Sequence, residues 1–172
     1  MTDEELSVLA LRLAKTACVS AIAFYAALVV FGNVTDYWTN FFFVTEVLDM
    51  DDVRSDAHIR WRAITSPALH HAVYILIIAT EAAVTSLCAL GALAMARRMK
   101  AKAQEFHQAK RRAILGLTLG FLLFEGGFIA VGGEWFGMWQ ARDFDAVQSA
   151  FRIAVTMLGV MIFVSLKDEE LA

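Results

Sequence analysis

Three ionisable side chains stand alone within long apolar runs of this sequence: Glu81, Glu125 and Arg152. A charge at the centre of a bilayer costs about 2.5–3.5 kcal/mol on insertion scales, so such residues usually face a protein interior and pair. Two carboxylates and one guanidinium form a charge-balanced triad if one acid keeps its proton. Such a triad can fix the register of the helices, or it can form a site for a small ligand, an ion or a proton.

The three charges are predicted to lie at one depth in the membrane. Their distances from the membrane surface follow from a helical rise of about 1.5 Å per residue. Three basic residues mark that surface: Arg97, Arg112 and Lys167. Glu81 then lies about 24 Å from it, Glu125 about 20 Å and Arg152 about 22 Å. We therefore predict that Arg152 bridges the two acids, at a level that water reaches from the outer side.

Gln148 belongs to the same predicted polar cluster. Residues three or four apart share one face of a helix, so Gln148 joins Arg152 on a polar stripe of the last apolar run. The stripe holds three more small or polar residues: Ser149, Thr156 and Gly159. The cluster either only fixes the helix register or also binds something, and the sequence leaves both interpretations open.

The composition indicates that these charges are carried by membrane helices. Of 172 residues, 59% are hydrophobic and only 19% are charged, whereas soluble domains average about 45–50% apolar and about 25% charged. Apolar runs of about 18 residues or more are typical of transmembrane helices. We predict an all-α membrane protein, a bundle of four transmembrane helices in a single domain (1–172). Its predicted spans are residues 11–32, 67–95, 113–131 and 147–166.

The longest segment between spans is the first outer loop, residues 33–66. It combines aromatic residues with a group of acids: Glu46, Asp49, Asp51 and Asp52. A stretch such as Asn40–Val53 can form a short amphipathic helix that lies in the membrane interface. Ser66 and Pro67 then suit the N-cap and the first turn of the second span.

The loop between the second and third spans sets the predicted orientation. Residues 97–112 carry seven Lys or Arg side chains and one acid, Glu105. Short loops rich in Lys and Arg stay on the cytoplasmic side. With four spans, both termini are predicted to be cytoplasmic as well. All four tryptophans fall in or beside the other two loops, which agrees with the preference of Trp for the membrane interface.

Four further candidate residues lie at the outer membrane interface: His70 and His71 at the start of the second span, and Trp135 and Trp139 in the loop after the third span. Adjacent helical residues point about 100° apart, so the two histidines rarely bind one metal ion. A haem would need a second histidine at a matching depth on another span, and the sequence has none. We predict no metal and no cofactor; a weaker alternative joins these histidines or His58 to acids of the first outer loop. The tryptophans anchor the loops in the interface, or they form a surface for a partner or a ligand.

The sequence contains none of the familiar catalytic motifs: no glycine-rich phosphate loop, no HExxH and no paired CxxC. The predicted function is therefore a small accessory or interaction module that is not an enzyme. Its predicted partners are the lipid bilayer and another membrane protein or a second copy, and nothing indicates nucleic acid. The alternative is a binding or transport protein for a small ligand, an ion or a proton, with Glu81, Arg152 and Glu125 as its site.

Four stretches carry a resemblance to a known family: Phe41–Asp51, Trp61–Pro67, Gly132–Gln140 and Phe151–Arg152. Over nearly the whole chain, the sequence resembles the bacterial predicted small integral membrane proteins, domain of unknown function 2165. The resemblance is one of overall pattern. It implies a four-helix protein of the bacterial inner (plasma) membrane, and it carries no catalytic or binding residues over to this chain.

Overall fold

The computed structural model describes residues 2–170 of the chain. Four helical stretches in that part are long and apolar enough to cross a membrane. They are Asp3–Thr35, Pro67–Arg97, Ala103–Trp135 and Val147–Ser165. The predicted all-α fold with four transmembrane helices is confirmed. The first and third helical stretches run further at both ends than the apolar runs that predicted them.

The helices are labelled in chain order. They are α1 (Asp3–Thr35), α2 (Tyr37–Asp49), α3 (Pro67–Arg97), α4 (Ala103–Ala109), α5 (Arg111–Phe121), a π-helix (Leu122–Trp135) and α6 (Val147–Ser165). Two single 3-10 turns, Arg60–Arg62 and Met138–Gln140, lie in the connections. Together α4, α5 and the π-helix make up the third span. The interfacial helix expected in the first outer loop is α2, which begins three residues earlier than the predicted start at Asn40.

The spans pack in a ring in which α1 and the third span each lie beside both α3 and α6. Small residues let α3 and α5 approach closely. A Cβ atom on Gly91 would come within 2.5 Å of the backbone nitrogen of Ala113, and one on Gly116 within 2.7 Å of Cys88 Sγ. Small residues at helix contacts are typical of membrane bundles, where packing rather than hydrophobic burial drives association.

The second half of the third span is a π-helix over Leu122–Trp135. π-helices rarely extend beyond one turn, and they occur frequently at functional sites. The Phe136 N–H donates to the Val131 carbonyl at 3.0 Å, which is the i→i−5 pattern of this helix type. Glycine weakens the preference for an α-helix, and the segment contains four: Gly126, Gly127, Gly132 and Gly133. Glu125 lies just after the change of helix type, so its side chain does not continue a face of α5.

The bundle has two distinct ends. Both described chain ends and residues 98–110 meet at one end, which we call the terminal end: Arg12 donates to the Ala101 carbonyl at 2.6 Å and to the Glu169 carbonyl at 2.8 Å. The other end, the loop end, carries α2 and residues 50–66 and 136–146. Four spans of alternating direction bring both ends of residues 2–170 to one end of the bundle.

A single carboxylate joins the two connections at the loop end. Asp52 Oδ2 accepts backbone N–H bonds from Arg142 at 2.8 Å, Asp143 at 2.7 Å and Phe144 at 3.1 Å. These bonds, led by the one from Asp143, hold the pKa of Asp52 below its usual value. A small apolar cluster lies beside them, formed by Leu48, Met50, Val53 and Phe136. The loop end is therefore ordered by its own contacts.

Candidate functional site

A buried polar site within the described spans surrounds Glu81 on α3. Its side chain is buried, and Oε2 accepts a hydrogen bond from the Asn33 side-chain amide at 2.6 Å. The Asn33 backbone carbonyl in turn accepts a bond from Tyr74 Oη at 3.1 Å. Tyr74 is also buried, and it stands two helical turns before Glu81 on α3. A neutral amide from α1, rather than a cation, therefore accompanies this acid.

A cavity of about 210 Å³ lies beside Glu81. Helices α1, α2, α3 and α6 and the π-helix all contribute to its wall. Six of its lining residues are polar: Tyr25, Asn33, Asn40, Tyr74, Glu81 and Ser149. Toward the loop end the cavity reaches Asn40 of α2 and Ala146, the residue before α6. The sequence predicted Glu81, and Tyr74 shares its helical face because it lies seven residues earlier. Asn33 lies just outside the predicted first span, so the sequence analysis missed it.

Arg152 does not bridge Glu81 and Glu125, which corrects the predicted triad. Its guanidinium donates to Ser149 Oγ at 3.0 Å, one turn back on the same helix. Within residues 2–170, no ion pair or hydrogen bond joins Glu125 to another side chain. Both Glu125 and Arg152 are exposed on the outside of the bundle.

Helical geometry explains why the triad does not form. The face of α6 that packs into the bundle carries Ala150, Ala154 and Met157. Arg152 stands two positions from both alanines, which is about 200° around an α-helix, so it points away from that face. Gln148 is exposed as well, as are Thr156 and Gly159. The predicted polar stripe therefore exists, but it faces outward.

The two histidines at the loop end have separate environments. His70 is buried, with Nε2 2.5 Å from the Ile64 carbonyl and 3.4 Å from Asp49 Oδ1. His71 Nδ1 lies 2.8 Å from Tyr37 Oη, and its ring stacks on Phe41 with centroids 4.1 Å apart. The two histidines therefore make different contacts: His70 binds the segment before α3, and His71 binds α2.

The two tryptophan candidates are exposed at the loop end. Trp139 is 56% exposed, and Trp135 is 48% exposed. The guanidinium of Arg62 lies 4.6 Å from the Trp135 ring centroid, and it also donates to the Trp135 carbonyl at 3.1 Å. Exposed aromatic rings at one end of a membrane bundle match the interfacial belt.

The sequence did not predict the largest charge cluster in the structure, which lies at the terminal end. We call it the terminal charge cluster: Arg12, Lys15, Lys110 and Asp168. Each of these side chains is at most 3% exposed. Lys15 Nζ lies 2.7 Å from Asp168 Oδ1, and Lys110 Nζ contacts Asp168 Oδ2. In the sequence, basic residues at the ends of apolar runs indicate only the topology. Their spacing does not show that their side chains are buried.

Backbone carbonyls satisfy the excess positive charge of this cluster. Arg12 donates to three carbonyls, including that of Met99 at 3.0 Å, and Lys15 and Lys110 both donate to the Leu166 carbonyl. Burial opposes ionisation of Asp168, but the hydrogen bonds from the two lysines outweigh it and lower its pKa. The cluster therefore holds the segment after α6 against α1 and the third span.

Comparison with known families agrees with this architecture. The sequence profile of the family described as "Predicted small integral membrane protein (DUF2165)" matches residues 11–167. The chain belongs to that family. No curated protein and no solved structure matches the chain significantly.

This DUF2165 chain also has an apolar groove on the outside of the bundle, between α3 and the π-helix. Its volume is about 390 Å³. It shares four wall residues with the Glu81 cavity: Phe43, Val44, Ile77 and Phe128. Almost all of its surface is apolar, which is the surface expected of a groove that faces lipid chains. These four shared residues thus separate the cavity beside Glu81 from the apolar groove.

Proposed function

We propose that this chain is a small, non-enzymatic membrane protein that acts by association within the bilayer, and that its partner is a second copy of itself. The observation that carries the proposal is the outward position of Arg152 and Glu125 on neighbouring helices. An ionised residue on a lipid-facing surface is costly unless it pairs. A partner that carried both opposite charges at the same level would remove that cost.

Contacts between the third span and α6 place the two charges at similar levels. Gly133 packs against Val147, which sets one reference point. Arg152 is five residues from Val147, or roughly 8 Å along α6, and Glu125 is eight residues from Gly133, or at most about 12 Å, because a π-helix rises less per residue than an α-helix. The side chain of Arg152 is long enough to cover the remaining difference of at most about 4 Å. Glu125 of one copy and Arg152 of another therefore lie at levels that allow them to form an ion pair.

The surface is self-complementary, as a two-fold dimer requires. In such a dimer a residue i of one copy contacts residue j of the other, and j contacts i in return. Glu125 of each copy would pair with Arg152 of the other copy, giving two ion pairs from one patch. Gly159 on the same face of α6 leaves open space for a neighbouring helix, since a Cβ atom there would contact nothing within 4 Å.

A co-purification experiment with two differently tagged copies tests this arrangement. Arg152→Glu gives an all-acid copy, with acids at both positions, and Glu125→Arg gives an all-base copy. Each variant alone is expected to lose self-association by at least about tenfold, since close charge pairs across interfaces couple by about 1.5–7 kcal/mol. The all-acid copy mixed with the all-base copy is expected to recover association, because every pair between the copies is then opposite in charge.

The mixing step separates the competing explanations. A pair within one chain would not be restored by mixing, because each variant chain still carries two like charges. An Arg152 that only extends to the lipid headgroups would leave association unchanged in Arg152→Glu. Either result overturns the proposal, as does a failure of wild-type copies to co-purify in mild detergent. Helix content of each variant, measured by circular dichroism, shows that the loss is not a loss of fold.

We also propose that the terminal end faces the cytoplasm of a bacterial inner membrane. Exposed basic residues concentrate there, among them Arg97, Arg98, Lys100, Lys102, Arg111 and Arg112. Such a bias sets orientation when it lies in a short loop. Reporter fusions to residue 172 and within residues 51–60 are expected to report opposite sides, with the residue-172 fusion inside. The reverse pattern would refute this orientation.

A further inference from the structure

We infer that the cavity beside Glu81 is a binding site for a small organic ammonium cation. This site is separate from the self-association surface proposed above, because neither Glu125 nor Arg152 lines it. Glu81 is 5% exposed. Its Oε2 is bonded to Asn33, whereas Oε1 accepts no hydrogen bond from residues 2–170. Oε1 is not one of the fully enclosed unpaired atoms, so it contacts the open space of the cavity.

The wall chemistry selects a cation. No Lys, Arg or His lines the cavity, and Glu81 is its one acidic residue. Five aromatic residues lie around it: Tyr25, Phe43, Tyr74, Phe124 and Phe128. A carboxylate with aromatic rings is the set that recognises alkylated ammonium groups, through ion pairing and cation–π attraction. The same carboxylate repels anions.

A metal ion fits this wall poorly. Calcium takes about six to eight oxygen ligands, and magnesium demands near-octahedral coordination. No three His, Cys, Asp or Glu side chains converge anywhere in residues 2–170. The single carboxylate, two amides and aromatic surface favour a soft organic cation, which needs one counter-charge and apolar contact rather than a full shell of oxygen atoms.

The size of the cavity limits the ligand. Its volume of about 210 Å³ is below the roughly 300 Å³ at which pockets for drug-sized ligands begin. A head group of a few carbon atoms around one nitrogen fits such a space. The cavity reaches Asn40 and Ala146, so the ligand enters from the loop end.

Arg152 lies close to this wall, through its hydrogen bond to Ser149 Oγ. If Arg152 instead turned inward onto Glu81, it would occupy the acid and exclude a second cation. The structure places it outside, so wild-type protein is expected to bind. Removal of its charge by Arg152→Gln is expected to strengthen binding modestly, because a nearby like charge is lost.

Isothermal titration calorimetry on the purified protein in nanodiscs tests the inference, with choline as the probe. Its uncharged carbon analogue, 3,3-dimethyl-1-butanol, is the matched ligand control. Choline is expected to bind saturably, and the uncharged analogue at least about tenfold more weakly, because it cannot pair with the carboxylate. Sodium chloride at equal ionic strength controls for nonspecific charge effects.

Matched variants locate the site. Glu81→Gln is expected to weaken choline binding by at least about 30-fold, as loss of one partner of a buried charge pair does. Tyr25→Leu is expected to weaken it by about 2- to 30-fold through loss of a cation–π contact. Glu134→Gln is the control, because it removes an exposed acid of the π-helix that lies outside both the cavity and the Glu125–Arg152 surface, and it is expected to leave affinity unchanged.

Four results would each overturn the inference. They are equal binding of the uncharged analogue, equal effects of Glu81→Gln and Glu134→Gln, binding that appears only in Arg152→Gln, and no saturable binding to wild type at about 10 mM choline. If Glu81→Gln does not fold, Tyr25→Leu with the Glu134→Gln control decides the same question. The self-association experiment has no choline step, so the two proposals can fail independently.

Discussion

The two ends of this bundle treat charge in opposite ways. At the terminal end, three cations and one acid are buried together, and each finds carboxylate or carbonyl oxygens. Toward the loop end, Glu81 has only a neutral amide, while Glu125 and Arg152 lie on the outside. Charges that are buried against opposite charges and carbonyl oxygens hold a structure together. Charges without such partners are the ones left for a ligand or a second copy.

Packing between the spans is also uneven. Gly91 and Gly116 sit where α3 and α5 are in close contact, with no room for a methyl group. A Cβ atom on Gly32, Gly126 or Gly159 would contact nothing within 4 Å. Neither Gly91 nor Gly116 lines the cavity beside Glu81 or the apolar groove. The close contact of α3 with α5 therefore holds the fold, and the space for binding lies elsewhere along the bundle.

The largest expected effect comes from breaking the terminal charge cluster with Asp168→Asn. Two buried lysines would lose their counter-charge, and removal of one partner of a buried ion pair costs about 3–5 kcal/mol. The free energy of unfolding in mixed micelles measures the change. Asp56→Asn is the matched control, because its ion pair with Arg54 is 68% exposed on both sides. An equal loss in the control would contradict the structural role assigned to the cluster.

Gly91→Ala is expected to come next, with a loss of about 1–3 kcal/mol from overpacking. The added methyl group would meet the backbone of Ala113, which cannot move without shifting α5. Gly32→Ala is the control, and it is expected to be neutral or slightly stabilising because the site has open space. The same micelle titration compares the two. Equal effects would show that the packing at Gly91 is no tighter than at Gly32.

Asn33→Leu is expected to cost about 1–3 kcal/mol, because it leaves the buried Glu81 carboxylate without its hydrogen bond. Thermal unfolding in detergent measures it. If Glu81 binds an ammonium cation, saturating choline is expected to restore much of the lost stability, since ligands that bind only the folded state stabilise it. No loss of stability in Asn33→Leu would contradict the buried position of Glu81.

The smallest expected effect is a pH dependence confined to acid conditions. Asp52 and Asp168 both have lowered pKa values in the folded state. Groups of this kind contribute stability above the unfolded pKa, which is about 3.9, and the contribution is lost as pH falls through the folded pKa. Stability from these two acids is therefore expected to be flat above about pH 5 and to fall below about pH 4. In Asp52→Asn, the free energy of unfolding is expected to fall less steeply below about pH 4, because Asp52 no longer contributes. A pH profile identical to that of the wild type would contradict a stabilising role for Asp52.

The sequence by itself determined the membrane class, the four spans and the helix at the first connection, because hydrophobic run length and periodicity are local properties. It also picked out the unusual charges, since a lone acid or base in an apolar run is visible without a structure.

Only the tertiary structure decided which charges meet. Depth does not specify direction around a helix, and the change to a π-helix at Leu122 altered the direction of Glu125. Arg152 faced outward because Ala150 and Ala154 took the packed face of α6. Asn33 became the partner of Glu81, and Asp168 the partner of Lys15 and Lys110, through contacts between residues 48 to 153 positions apart. Pairing at such separations depends on how the helices pack, which no local pattern contains.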